Sequence, residues 1–389
     1  MKALFVCPRC GNNDPHFIGM KNGKPYCRRC IGFQGDLAKP LPQVEKNVRL
    51  SLNYGLSKQQ QELSSKIVEN FKAGIDTLVY AVCGSGKTEI SYGVLAYAMS
   101  RGLAVAFALP RRDVVIELYL RLKDAFPDNK IVAVYGQHTS ELEGDCVILT
   151  THQLYRYPHY FDLIVMDEID AFPFKGDPTL IAFFHAALRG HYVMMTATPS
   201  KDIIKEFHQP GKDMVCLRTR FHKKPIPVPR IIIAYGVAKF IVAVKKLKEY
   251  RKQGKQCLIF VPTVDQAENL FFYLSLFARG GDYVSSKRDL RAEIIKAFKQ
   301  GKKQYLVTTA VLERGVTIRG LQVIVYGADN DIYDSAALIQ ISGRVGRKAD
   351  APEGEVLFLA ERKTEGMIDA IKEIEYCNTF LQNMPPTDG

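Results

Sequence analysis

The sequence predicts an α/β protein built as two tandem parallel-sheet lobes behind a small N-terminal cysteine module. Three observations carry that prediction. Apolar runs of strand length alternate with helical patterns from residue 57 to 196, and the alternation restarts at 238. Between the two series lies "KKPIPVPR" (223–230), whose prolines at alternate positions make a stiff extended connector. Ahead of both lies "CPRCGNNDPHFIGMKNGKPYCRRC" (7–30), two CxxC pairs with sixteen residues between them and no sustained hydrophobic period.

Residues 1–47 read as a module too small for a core of its own, with "KPLPQVEKN" (39–47) as a linker. Residues 48–222 form the first lobe, 223–362 the second and 363–389 a helical tail. In the first lobe Ser57 opens a helix with Leu63, Ile67, Val68 and Phe71 on one face, ending at Gly74. "TLVYAV" (77–82) is a buried strand, followed by a helix over 88–100. "AVAFALP" (104–110) is a strand and "DVVIELYLRLKDAF" (113–126) a helix, while "KIVAVY", "CVILTT", "FDLIVMDE" and "HYVMMTAT" add apolar strands. The second lobe predicts helices over 238–252, 265–278, 288–300 and 335–343, with strands at "CLIFVP", "QYLVTT" and "VIVYG". The tail, 364–382, is one amphipathic helix.

Composition narrows the class. A chain of 389 residues exceeds what one core usually holds, and 47% hydrophobic content excludes a disordered chain. No apolar run approaches the roughly 18–20 residues of a membrane span, and "ALFVC" is too short for a signal-peptide core. A cytoplasmic protein is expected, able to sit peripherally at the inner face of a membrane through partners. The net charge is +12, and residues 1–49 hold nine Lys/Arg against three Asp/Glu. Such a basic surface suits a polyanion, which releases counterions on binding, although it also aids solubility.

"AVCGSGKTE" (81–89) follows a strand and opens a helix, the setting of a phosphate-binding loop. Gly84, Ser85 and Gly86 let backbone N–H groups curl toward phosphates; Ala81 stands where the first glycine is usual. Lys87 can reach the outer phosphates and Thr88 can ligate Mg²⁺, against the plainer reading of a glycine-rich β–α turn. "LIVMDEID" (163–170) sets Asp167 and Glu168 just after a strand. Pairing that strand beside the phosphate-loop strand would bring both carboxylates to the same sheet edge, Asp167 for Mg²⁺ and Glu168 for the attacking water. "QISGRVGR" (340–347) supplies Arg344 and Arg347, spaced to clamp a γ-phosphate, or else to complement a helix C-terminus.

Together "LSKQQ", "AVCGSGKTE", "ALPRRD", "TTHQL", "DEID", "TAT", "TTAVLERGVT" and "QISGRVGR" resemble, in this order over residues 56–347, the superfamily-2 helicases and translocases of the DEAD/DEAH kind. The resemblance implies two RecA-like lobes, ATP between them and a nucleic-acid strand crossing both. It implies that Thr196 and Thr198, with Gly315 and Thr317, couple nucleotide state to the strand, and that Gln340, Arg344 and Arg347 sense the γ-phosphate. Gln60 would read adenine, while Ser57-x-x-Gln60 is also a capping box; the two roles are compatible. Arg111 and Arg112 are expected at strand phosphates, and "THQLYRYPHYF" (151–161) offers aromatics for base stacking or for an ordinary loop.

The four cysteines Cys7, Cys10, Cys27 and Cys30 have the spacing of a Cys₄ zinc ribbon, since each CxxC knuckle presents two thiolates to one Zn²⁺. Gly11 suits the turn of the first knuckle. Cytosolic thiols stay reduced, and a redox dithiol pair would want a thioredoxin-like βαβ setting. Arg9, Arg28 and Arg29 on the knuckles can grip DNA phosphates or offset the anionic thiolates. A Cys₄ ribbon followed by "DEID", "LERGVT" and "QISGRVGR" looks like the ComFA-type late competence ATPases of Gram-positive bacteria. That resemblance implies an ATP- and Mg²⁺-dependent motor on single-stranded DNA, acting with other DNA-uptake proteins at the cytoplasmic face of the membrane. With no evident insertion in the second lobe, translocation is expected over unwinding. An RNA-dependent remodeller and a non-catalytic zinc and nucleic-acid scaffold are the alternatives; the intact "GKT", "DEID" and both arginines argue against the second.

Overall fold

The computed structural model describes residues 5–170, 174, 176–285, 290–309 and 318–382. They form two compact units, one of residues up to Ala81 with Gly86–Leu217, the other of Val82–Ser85 with residues from Arg218 on.

The first unit begins with a hairpin of β1 (Ile18–Lys21) and β2 (Lys24–Cys27), closed by Asn22 and Gly23 at positive φ. Its main elements are α1 (Lys58–Lys72), β3 (Asp76–Ala81), α2 (Lys87–Ser100), β4 (Val105–Leu109), α3 (Arg112–Ala125), β5 (Ile131–Val134) and β6 (Cys146–Thr150). They continue with β7 (Phe161–Asp167), α4 (Pro178–Ala187), β8 (Leu188–Thr196), α5 (Lys201–Glu206) and β9 (Lys212–Leu217). The seven strands run parallel in the order β5-β6-β4-β7-β8-β3-β9. Every residue of β4, β5 and β6 is buried, because helices cover both faces of the sheet. Alternate residues feed two cores: Phe107, Leu109, Ile148 and Val165 on one face, Ala106, Val147, Leu149 and Ile164 on the other. Each large apolar side chain among them contributes about 1.5–3 kcal/mol by leaving water. The helix predicted from Ser57 starts there: Ser57 Oγ accepts from Gln60 N–H at 3.3 Å and Gln60 Oε1 accepts from Ser57 N–H at 2.9 Å.

The expected linker 39–47 is instead a strap bound along the first unit. Lys39 N–H donates to Glu143 (2.8 Å), Gln43 Nε2 to Asp162 (3.1 Å) and Lys46 N–H to the Ser100 carbonyl (3.0 Å). Its prolines Pro40 and Pro42 lack the donors that a sheet would demand, so side chains and helix ends hold it. Gly102 turns there at φ +69°, with the Val44 backbone against the place a Cβ would occupy.

The second unit holds β10 (Arg230–Ile233), α6 (Gly236–Lys252), β11 (Cys257–Phe260), α7 (Val264–Phe277), β12 (Gly281–Val284) and α8 (Arg291–Lys299). After them come β13 (Tyr305–Thr308), β14 (Gln322–Tyr326), α9 (Ser335–Ser342), β15 (Val356–Ala360) and α10 (Glu365–Gln382). Its six strands are parallel in the order β10-β15-β14-β11-β13-β12. Both units are RecA-like parallel sheets. Strands β9, β10, β12 and β15 and helix α4 are absent from the sequence-based expectation; each strand is only four to six residues long, too short for periodicity to separate it from a loop.

Gly102→Ala should lower stability by on the order of 1–3 kcal/mol, through the positive φ and the clash with Val44. Urea unfolding measures the loss, and faster proteolysis within 39–47 should accompany it. An unchanged midpoint would mean that the strap is not seated at Gly102.

Candidate nucleotide and metal sites

In the first unit, chemistry gathers at the C-terminal ends of β3, β7 and β8. Ala81, the last residue of β3, is fully buried opposite Leu217 of β9, so a methyl group fits where glycine was expected. The chain then turns through Gly84 (φ +82°) and Gly86 (φ +85°), conformations that a Cβ would strain. Ser85 is buried, its N–H donating to the Val82 carbonyl at 3.2 Å. Lys87 and Thr88 begin α2, whose N-terminus has no side-chain cap and carries the positive end of the helix dipole. Gln60 Nε2 lies where a Cβ on Gly86 would stand, so the residue that caps α1 also lines the phosphate loop.

Lys87 Nζ lies 3.7 Å from Asp167 Oδ1, with both side chains about 15% exposed (15 and 14%). The strand carrying Asp167 is not the direct neighbour of β3, as the sequence suggested; β8 lies between them. The lysine side chain spans that extra strand, so the two groups still meet. Glu168 has φ +59°, unusual for a non-glycine residue, and its N–H donates back to Asp167 Oδ1 at 2.8 Å. The reversed backbone carries Asp170 over the end of β8. There Thr196 Oγ1 and Thr198 Oγ1 donate to its two carboxylate oxygens, each at 2.8 Å, and Thr198 N–H donates to Thr196 Oγ1 at 3.0 Å. Sequence reasoning singled out both threonines and passed over Asp170; the only available signal was its place in "DEID".

In the second unit, Gln340 is buried near the end of α9 and accepts from the Cys83 thiol at 3.1 Å. Gly343 closes the helix. Arg344 is 1% exposed, and Arg347 Nε donates to the Gly343 carbonyl at 2.9 Å. Gly315 and Thr317 lie outside the described residues.

The basic pair after β4 and the aromatic run 151–161 take these places. The Arg112 guanidinium stacks over Tyr135, its carbon 5.2 Å from the ring centroid, and Arg111 is the N-cap residue of α3. In 151–161 the aromatics are core rather than stacking platforms: Tyr157, Tyr160 and Phe161 are buried and pack on one another. Tyr155 and His152, in the 3₁₀ segment Thr151–Arg156, seat Phe33 of the cysteine module, whose ring also meets Phe183 edge-on at 5.0 Å. Burial holds His152 below the usual histidine range, which keeps this seat uncharged. Arg156 Nη1 donates to the Asp36 carbonyl (2.8 Å) and Tyr155 Oη to the Gln34 carbonyl (2.6 Å), so the module is docked on this unit.

Within the module, Cys7, Cys10, Cys27 and Cys30 are buried and their sulfur atoms lie within 4.8 Å of one another. Cys7–Cys30 and Cys10–Cys27 separations are 3.5 and 3.6 Å, close to the roughly 3.8 Å edge of a ZnS₄ tetrahedron with 2.3 Å bonds. Burial raises the Cys10 thiol to about 11 and raises Cys30 further. Burial also pushes Cys27 up, but the Cys30 backbone N–H, the Cys10 thiol and the Arg29 backbone N–H outweigh it and lower its pKa. Buried thiols with amides aimed at sulfur fit a soft divalent metal, and Gly11 (φ +66°) makes the first turn as expected. Arg9 is spent on the carbonyls of Cys30 and Phe33, and Arg29 pairs with Asp14 (3.4 Å) over the Phe17 ring. Of the three knuckle arginines, Arg28 alone keeps its side chain exposed with no partner among the described residues.

The family model described as DEAD/DEAH box helicase matches residues 58–207, and the helicase conserved C-terminal domain matches 239–349. The chain is therefore a helicase-type ATPase, which uses ATP and Mg²⁺ and binds nucleic acid. The fold is shared with S. cerevisiae Dbp5 bound to RNA and ADP BeF3, at TM-score 0.62 and 14% identity over 83% of this chain and 92% of that one. Among the described residues no helix is long and apolar enough to cross a membrane. Competence protein ComFA of Bacillus subtilis is 33% identical over 100% of this chain and 88% of its own length. Competence protein ComFA of Streptococcus pneumoniae is 32% identical over 97% and 91%. Similarity on this scale, running through both RecA-like units and the four-cysteine module, makes the chain a member of the ComFA family of competence helicases.

Proposed function

We propose that this protein is an ATP-driven translocase on single-stranded DNA, drawing transforming DNA inward at the cytoplasmic face of the membrane together with other DNA-uptake proteins. The observation that carries it is the gathering, at one sheet edge, of the Lys87–Asp167 pair and of Thr196 and Thr198, both held by Asp170. Lys87 and the amides of Gly84, Ser85 and Gly86 hold the outer phosphates, with Ala81 closing the loop and Gln60 beside it at the nucleotide. Thr88 and Asp167, a hydroxyl and a carboxylate, suit Mg²⁺, which draws charge from the transferred phosphoryl group. Glu168 orients the attacking water, and Gln340, Arg344 and Arg347 answer the γ-phosphate. Asp170 ties the backbone that follows Glu168 to Thr196 and Thr198, so a shift at one strand end moves the other. The similarity to two competence proteins over nearly their whole length supports the DNA assignment.

Zn²⁺ held by Cys7, Cys10, Cys27 and Cys30 orders the module and its aromatic seat, a contribution on the order of 10–16 kcal/mol to local folding. Its contact with DNA falls to Lys21, Lys24 and Arg28, which are exposed and have no acidic partner among the described residues.

ATP turnover should rise with single-stranded DNA more than with duplex or RNA. Lys87→Ala should remove at least about a hundredfold of it, since phosphate positioning and charge stabilisation carry phosphoryl transfer. Stimulation by RNA and not by DNA would overturn the proposal. The purified chain should carry one Zn²⁺, and Cys27→Ser should release it and open residues 5–38 to proteolysis; an intact module without metal would refute the zinc assignment. Replacing Lys21, Lys24 and Arg28 together by Glu should flatten the salt dependence of single-strand binding by about 2 in log–log slope, at roughly 0.7 for each phosphate no longer neutralised. An unchanged slope would place the DNA elsewhere.

A further inference from the structure

Arg220 is among the largest fully buried side chains of the protein, 1% exposed, and no carboxylate lies within ion-pair distance of it among the described residues. A buried cation without a counter-ion is costly, so something must hold it there. Its partners are backbone carbonyls, all from one turn: Nη1 donates to Val345 (2.8 Å) and Gly346 (2.7 Å), and Nη2 to Gly343 (3.2 Å). That turn carries Arg344 and Arg347. His222 adds a fourth hydrogen bond to it. Its Nδ1 accepts from Lys224 N–H at 3.1 Å, which leaves the proton on Nε2 to donate to Gly346 at 3.0 Å. Burial and the Arg220 charge outweigh the pull of that carbonyl and keep His222 below the usual histidine range, hence neutral.

Two details go beyond the capping of a helix C-terminus. Arg220 Nε is buried with no acceptor, and it lies 3.8 Å from where a Cβ on Gly84 would stand, within the same compact unit. The next residue, Phe221, donates its N–H to the Gly84 carbonyl at 3.4 Å. Burial, and after it the Arg347 charge, push Arg220 down to about 10, so the two guanidinium groups repel. Gly346 is at φ +68°; a Cβ there would meet the Pro352 carbonyl first and Arg220 Nη1, about 3.1 Å away, next, so the guanidinium is one of two groups that close on the turn.

We infer that Arg220 is a positioning residue: it fixes the 343–347 turn against Gly84 so that Arg344 and Arg347 are presented to the γ-phosphate. The inference rests on the proposed role of Arg344 and Arg347. Arg220 need not touch nucleotide. It acts through the turn, whose Gly343 carbonyl also accepts from Arg347 Nε at 2.9 Å.

The test uses the full chain with Arg220→Gln, Arg220→Lys and Arg220→Gly, beside Arg344→Gln and Arg347→Gln. Turnover in the Arg220 variants should fall by about a hundredfold, the scale of a mispositioned catalytic group. ADP affinity should stay within about threefold of the parent while the preference for ATPγS over ADP is lost. Free guanidinium should restore part of the turnover of Arg220→Gly. Turnover within about threefold of the parent in both Gln and Lys variants, or ADP affinity falling in step with turnover, overturns the inference. Failure of both variants to fold also counts against it, because a positioning role leaves the sheet of the unit intact. Normal turnover in Arg344→Gln and Arg347→Gln would instead sink the underlying role of the arginine pair, whatever Arg220 does.

Discussion

The first unit is organised by one carboxylate. Asp170 accepts both threonine hydroxyls at the end of β8, and it reaches them because Glu168 takes a left-handed backbone conformation. Such a conformation costs about 1–3 kcal/mol in a residue with a side chain. Two charge-assisted hydrogen bonds over-determine it. The consequence is a fixed relation between two strand ends: the threonine pair at the end of β8 and the acidic segment after β7. Lys87 then meets Asp167 across a strand that carries its own signal-bearing residues.

That arrangement explains which parts of the site were legible in the sequence. Local devices read well: the capping box of Ser57 and Gln60, the glycine turn before Lys87, the knuckle at Gly11. Each is decided by residues within a few positions of one another, so spacing is enough. The order of strands is a different matter. Nothing in the local pattern of "FDLIVMDE" or "HYVMMTAT" says which of them lies beside β3, because every parallel strand buried on both faces is equally apolar. Asp170 was hidden for the same reason, since its partners lie 26 and 28 residues away.

The aromatic run 151–161, open in the sequence between base stacking and an ordinary loop, is decided by burial. Tyr and Phe flanked by basic residues resemble a base-stacking surface, but burial is a tertiary property, and here the rings complete a core and seat Phe33. The strap 39–47 was mistaken for a linker because its prolines and charges match linker composition. Its actual partners, Asp162, Glu143 and the end of α2, are distant in sequence. Arginines followed suit: Arg9 and Arg29 serve the module itself, and Arg220, which carries no motif, holds the turn with the two motif arginines.

The strap and the residues after it tie the cysteine module to the ends of two helices. Lys46 is bonded to Ser100 and Ser51 to Ala125, the last turns of α2 and α3. The opposite end of α2 begins at Gly86, Lys87 and Thr88. The strap thus joins the cysteine module to the C-terminal end of the same helix that Lys87 and Thr88 begin, so module and site residues share one rigid element.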